Sequence, residues 1–261
     1  MKLDSSTLVF AGIIPARFAS TRFPGKPLVD IFGKPMIRHV YEKAKNVFEI
    51  VYAATDDKRI FDAVVNFGGN AVMTSGSHKS GTDRCAEAAE IIQKQLNRKI
   101  DVVVNIQGDE PFIAKEQMET IKDLFHDNKT QIATLIKKFA DNEDIFNANS
   151  PKVVVSNTNE ALYFSRSPVP FVRNSDKAIW QKQFTFFKHI GLYAFRTEIL
   201  KQLAVLPQGN LEKAESLEQL RWLENGYRIK VAQTDIENYA IDSPDDLKRL
   251  MSMKNLNDYP H

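Results

Sequence analysis

Through its first half the chain alternates short apolar runs with amphipathic stretches. Residues 8–14, 50–54, 71–74 and 102–106 are apolar enough for buried strands, and the stretches 36–47, 58–67 and 83–96 between them carry a helical period. Alternation of this kind predicts an α/β fold built on a doubly wound, mostly parallel sheet. Pro15 is expected to end the first strand, and Thr82 to cap the helix beginning near Asp83. After Ser150 the pattern changes to extended segments at 153–155, 163–164, 191–195 and 227–233. A helix over 212–225 is closed by Gly226. No internal repeat or low-complexity linker interrupts the chain, so residues 1–261 read as one domain, the second half elaborating the sheet and adding a protruding piece.

Polar chemistry gathers where the apolar runs end. Arg17, Arg22 and Lys26 follow the first run, interleaved with the small residues Ala16, Ala19, Ser20 and Gly25. Cations beyond a strand's carboxyl end, with small residues that admit close backbone approach, suit a triphosphate. GxxxxGK[ST] and GxGxxG are both missing, so the common nucleotide loops do not account for the segment. The fourth run ends in Gln107, Gly108, Asp109 and Glu110, a position where a carboxylate can share Mg²⁺ with phosphate oxygens. An ordinary Asp-Gly turn would look the same.

Composition narrows the class. With 261 residues and 43% hydrophobic content the chain can bury a sizeable core. Its 35 basic and 33 acidic residues leave a net charge of +2, too little for a nucleic-acid binder. No apolar run approaches the length of a membrane span, no secretory leader is evident, and the one cysteine, Cys85, fits a reducing compartment. A cytoplasmic protein is expected. Cys85 and His39 read as packing residues.

Taken together, IPARFASTRFPGKPL (14–28), HKSGTDR (78–84), NIQGDEP (105–111), YFSRSPVP (163–170), HIGLYAFR (189–196), LEKAESLEQLRWL (211–223) and AIDSPDDL (240–247) resemble the 3-deoxy-manno-octulosonate cytidylyltransferase family over nearly the whole chain. The resemblance implies a Rossmann-like nucleotidyltransferase fold with a protruding dimerisation element. It implies transfer of CMP from CTP to 3-deoxy-D-manno-octulosonate (Kdo) for lipopolysaccharide biosynthesis, with Mg²⁺ as cofactor and a homodimer as the assembly.

Residue by residue, the resemblance gives Lys26, Arg17 and Asp109 catalytic roles. It assigns the nucleotide to Ala16, Arg17, Ser20, Lys26, Ser80, Thr82, Arg84 and Gln107. The sugar acid falls to Arg22, Arg166, His189, Tyr193, Glu218 and Gln219, and the metal to Asp109 and Asp242. The acids Asp245 and Asp246 that follow Ser243-Pro244 need no role beyond a helix start. Trp180, Phe184, Phe186 and Phe187 are candidates for the dimer contact, with core packing an equally good reading of each. Phe23, Ala240 and Ser243 depart from the family pattern, and Phe23, beside Arg22, leaves room for a modified Kdo. A CMP-sialic acid synthetase would share the cradle, and a nucleotide-sensing module would keep the cations without the carboxylates.

Overall fold

The computed structural model describes residues 8–19, 23–241 and 243–252. The elements run β1 (Phe10–Ala16), β2 (Asp30–Ile31), β3 (Lys34–Pro35), α1 (Met36–Lys45), β4 (Ile50–Thr55), α2 (Lys58–Asn66), β5 (Ala71–Met73), α3 (Gly81–Leu96), β6 (Val102–Asn105) and α4 (Lys115–Asp123). They continue as β7 (Ile132–Lys138), β8 (Lys152–Val155), β9 (Ala161–Ser165), α5 (Trp180–Gln183), β10 (Phe187–Arg196), α6 (Thr197–Ala204), α7 (Asn210–Glu215), α8 (Gln219–Glu224), β11 (Ile229–Gln233) and α9 (Pro244–Met251). The chain divides into two compact units, residues 1–119, 194–204 and 238–261, and residues 120–193 and 205–237. Among the described residues no helix is long and apolar enough to cross a membrane.

In the first unit β1 lies between β4 and β6, and β5 joins β4, all parallel, giving the order β6-β1-β4-β5. β1, β4 and β6 bury nearly every side chain, as parallel strands covered on both faces must, whereas the edge strand β5 buries only Val72. After β5 the chain returns to the far side of β1, so the strand order reverses between β1 and β6. That reversal opens a crevice at the carboxyl ends of the two strands. Contrary to expectation, Pro15 does not end β1, which continues to Ala16 with Pro15 opposite Ala54. The ladder with β6 stops at Ile13, so the missing N–H of proline costs nothing on that side.

In the second unit β11 pairs with β7 in parallel, while β8 runs antiparallel to both β9 and β10. The helix expected over 212–225 is two helices, because Ser216 adopts a left-handed conformation (φ 51°) between α7 and α8. Gly226, also left-handed, follows α8 as expected. The aromatic run divides by depth. Trp180 and Phe186 are buried with Phe139 and Ile145, whereas Phe171 (71% exposed), Phe146 and Phe184 show their faces to solvent. Lys188 is buried with two carboxylates against its ammonium group, Glu143 and Glu237 (2.5 Å), and Lys137 joins Glu237 at 2.8 Å. Burial lowers the Lys188 pKa, but the hydrogen bonds it donates to both carboxylates outweigh that and hold the ammonium above its ordinary value.

Candidate active site

A cavity of about 230 Å³ occupies the crevice beyond β1 and β6 in the first unit. Ala16 and Arg17 reach it from the end of β1, Gln107 and Asp109 from the end of β6, and Ser80 and Arg84 from α3. Lys26 arrives through a tight turn. Gly25 sits in the left-handed region (φ 73°), its N–H donates to Phe18 O (2.9 Å), and a Cβ there would press on the Phe18 ring at 3.0 Å. The turn brings Lys26 Nζ to 2.6 Å from Asp109 Oδ2. The Asp109 backbone carbonyl accepts from Ile241 N–H at 2.9 Å, tying the segment before position 242 to the carboxylate-bearing loop.

The N-terminus of α3 opens on this cavity, because Ser80 and Gly81 line it. Ser80, not Thr82, caps the helix, its Oγ accepting from Asp83 N–H at 3.1 Å. Thr82 is buried in the first turn of α3 and does not line the cavity. The Arg84 guanidinium is fixed to Thr74 Oγ1 (2.6 Å) and Asp56 Oδ2 (3.2 Å), so it forms a rigid positive wall. Sequence reading missed His78 and Lys79, which also line the cavity. His78 is braced by Glu87 one helical turn beyond Asp83, a pairing only the folded loop reveals. Ser20, Arg22 and Asp242 lie outside the described residues.

The other predicted residues gather in the second unit. The His189 ring lies 5.1 Å from that of Tyr193 and 5.3 Å from that of Phe164, and Tyr193 stands edge-on to Trp222 at 5.0 Å. Burial lowers the His189 pKa to about 4, so the imidazole is neutral near pH 7. Burial, reinforced by the nearby Glu218 carboxylate, raises that of Tyr193 well above its ordinary value and keeps the phenol protonated. Glu218 accepts from Arg221 Nη2 at 2.8 Å. Gln219 is 5% exposed, and its Nε2 has no hydrogen-bond acceptor among the described residues, a buried donor that a polar ligand would satisfy.

Arg166 is less free than a substrate clamp would be. Its guanidinium donates to Glu215 O (2.6 Å), Ala148 O (2.9 Å) and Ser216 O (3.2 Å), while the Glu215 carboxylate accepts from Ser165 Oγ and Arg166 N. These bonds hold the left-handed turn at Ser216 and so set where Glu218 and Gln219 begin α8.

Residues 11–231 match the family model described as Cytidylyltransferase. The chain is 57% identical over 247 residues to the 3-deoxy-manno-octulosonate cytidylyltransferase of Parabacteroides distasonis, covering 93% of this chain and 97% of that protein. It is 58% identical over 243 residues to that of Phocaeicola vulgatus, covering 92% and 95%. A solved CMP:2-keto-3-deoxy-manno-octonic acid synthetase complexed with CTP is 40% identical, covers 94% of this chain and 97% of its own, and superposes with a TM-score of 0.84. With the parallel sheet, the crevice and its cations already in place, these likenesses show that the chain belongs to the 3-deoxy-manno-octulosonate cytidylyltransferase family.

Proposed function

We infer that this protein transfers CMP from CTP to the anomeric hydroxyl of Kdo, giving CMP-Kdo and pyrophosphate. The observation that carries the reading is the cavity in which Arg17, Lys26, Arg84 and the N-terminus of a 16-residue helix face Asp109. A triphosphate needs such cations, and the positive helix end adds to them. The sugar hydroxyl attacks the α-phosphorus, the new P–O bond forms as the bond to pyrophosphate breaks, and the hydroxyl proton is lost. Positioning and charge neutralisation do most of this work, with no covalent enzyme intermediate. Lys26 and Arg17 hold the triphosphate and stabilise charge building on the departing pyrophosphate.

The donors at the cavity suit Mg²⁺. Asp109 supplies a carboxylate oxygen already 2.6 Å from one cation, and hard oxygen ligands are what this ion prefers. Asp109 and Asp242 would hold it. Bound there, Mg²⁺ would neutralise phosphate charge and lower the pKa of the attacking hydroxyl. In the second unit, neutral His189, protonated Tyr193, the Gln219 amide and the Glu218 carboxylate offer the mixture of donors and acceptors that a polyhydroxy acid requires. The bonds to the Glu215, Ala148 and Ser216 carbonyls use three of the five N–H groups of Arg166, and the remaining two, with Arg22, are proposed for the sugar carboxylate. The test is pyrophosphate release from CTP and Mg²⁺ with a panel of sugar acids. Turnover is expected with Kdo or a close relative, and equal turnover with a sialic acid would refute the assignment.

The homodimer is proposed on the exposed aromatic faces of Phe171, Phe146 and Phe184, which stand on the buried Trp180–Phe186 stack. Phe171→Ser should shift the assembly to monomers in sedimentation velocity, and an unchanged dimer would move the interface elsewhere. The single buried Cys85 supports a cytoplasmic location.

A further inference from the structure

β7 carries a fully buried threonine whose hydroxyl meets three polar groups within hydrogen-bond distance, and the Tyr193 phenol interacts with it as well. Thr134 Oγ1 lies 2.8 Å from Leu192 O, 3.1 Å from Ile190 O and 3.1 Å from His189 Nε2. A hydroxyl has one proton and two lone pairs, while a carbonyl oxygen can only accept. If the proton went to Nε2, the lone pairs of Oγ1 would face two carbonyl oxygens at close range at a fully buried position, which is repulsive. Whichever carbonyl takes the proton, the imidazole is left with a lone pair of Oγ1. Nε2 must then carry hydrogen and donate to it. With the imidazole neutral near pH 7, Nδ1 is a bare acceptor. The Phe164 and Tyr193 rings pack against the imidazole at 5.3 Å and 5.1 Å, opposing a ring flip that would exchange the nitrogens.

We propose that Thr134 is a positioning residue that locks His189 in the Nε2–H tautomer and so makes Nδ1 an acceptor for a hydroxyl group of the sugar acid. The tautomer follows from Thr134, and the choice of ligand rests on the reading that His189 faces the sugar. An acceptor fixed in this way favours a hydroxyl at the matching carbon and disfavours a carbonyl, ether or deoxy carbon there, so the pair reads one position of the sugar.

The test begins with the wild-type protein. Nitrogen-15 correlation spectra of the histidine side chains, with His189 assigned by its loss in His189→Gln, should show a pyrrole-like Nε2 and a pyridine-like Nδ1. This pattern should hold from about pH 5.5 to about pH 7.5, where an exposed histidine titrates. Thr134→Val keeps the shape and removes the hydroxyl. It should mix or reverse the tautomers and raise KM for Kdo about tenfold, the loss of roughly one hydrogen bond, with kcat and KM for CTP within about twofold. Thr134→Ser should restore both. A wild-type Nδ1–H or imidazolium pattern, or an unchanged tautomer in Thr134→Val, overturns the tautomer lock. A shifted tautomer with unchanged KM for Kdo in Thr134→Val, alongside unchanged KM in His189→Gln, overturns the placement of the sugar at His189 and leaves the lock standing.

Discussion

Replacing Lys26 with alanine is expected to lower kcat/KM for CTP by about 10² to 10³, the usual loss when one preorganised electrostatic donor is removed. The turn that presents Lys26 is closed by backbone bonds at Gly25, Leu28 and Val29, none of which uses the side chain. The fold should therefore survive, with stability changed by less than about 1 kcal/mol, since the Lys26–Asp109 pair keeps partial contact with water (14% and 28% side-chain exposure). Pyrophosphate release measures the first effect and thermal denaturation the second. Full activity in Lys26→Ala would show that the loop does not cradle the triphosphate.

The second large effect is expected at Asp109, where activity falls as it does at Lys26 but metal-free CTP binding moves the opposite way. Asp109→Asn keeps the size and removes the charge. The variant should lose activity by a similar factor of about 10² to 10³ and need a higher Mg²⁺ concentration for half-maximal rate. Without metal, however, the same change releases Lys26 from its partner 2.6 Å away and removes a negative charge from the cavity. Calorimetric titration of CTP in the absence of Mg²⁺ should accordingly show tighter binding in Asp109→Asn and weaker binding in Lys26→Ala. Because the two groups touch, the double variant should lose less activity than the product of the single losses. Multiplicative losses with an unchanged Mg²⁺ requirement would remove Asp109 from the metal site.

The strand–helix alternation of the first unit was legible because buried parallel strands leave unbroken apolar runs, and the crevice follows from their order. Loop residues before and after those runs were correspondingly easy to place: Arg17, Lys26, Gln107 and Asp109 all reach one cavity. What local pattern could not show were choices made by distant partners. The Ser216 break is held by Arg166, fifty positions earlier, and a helical period runs through it unmarked. Ser80 and Thr82 are both good caps, and only the backbone path after β5 decides between them. β7 escaped notice because its five buried residues include Thr134 and run straight into two lysines, a poor apolar signature. Sequence left core packing and a dimer contact both open for Trp180 and Phe186, and it is Phe139 and Ile145, some forty positions earlier, that bury them.

The charge group around Lys188 constrains how the chain can change over generations. Lys188 belongs to β10, Glu143 to the loop after β7, and Glu237 to the segment after β11, so one ammonium joins three separate stretches of sequence. Losing one carboxylate leaves Lys188 with a single counter-ion, whereas losing both strands a buried positive charge, a change that costs several kcal/mol, on the order of 3 to 5, and a large share of a typical domain's stability. Replacing the whole group by apolar residues of similar volume carries no such penalty. Drift at positions 143, 188 and 237 is therefore coupled, and a descendant lineage that keeps Lys188 should keep at least one of its two carboxylates.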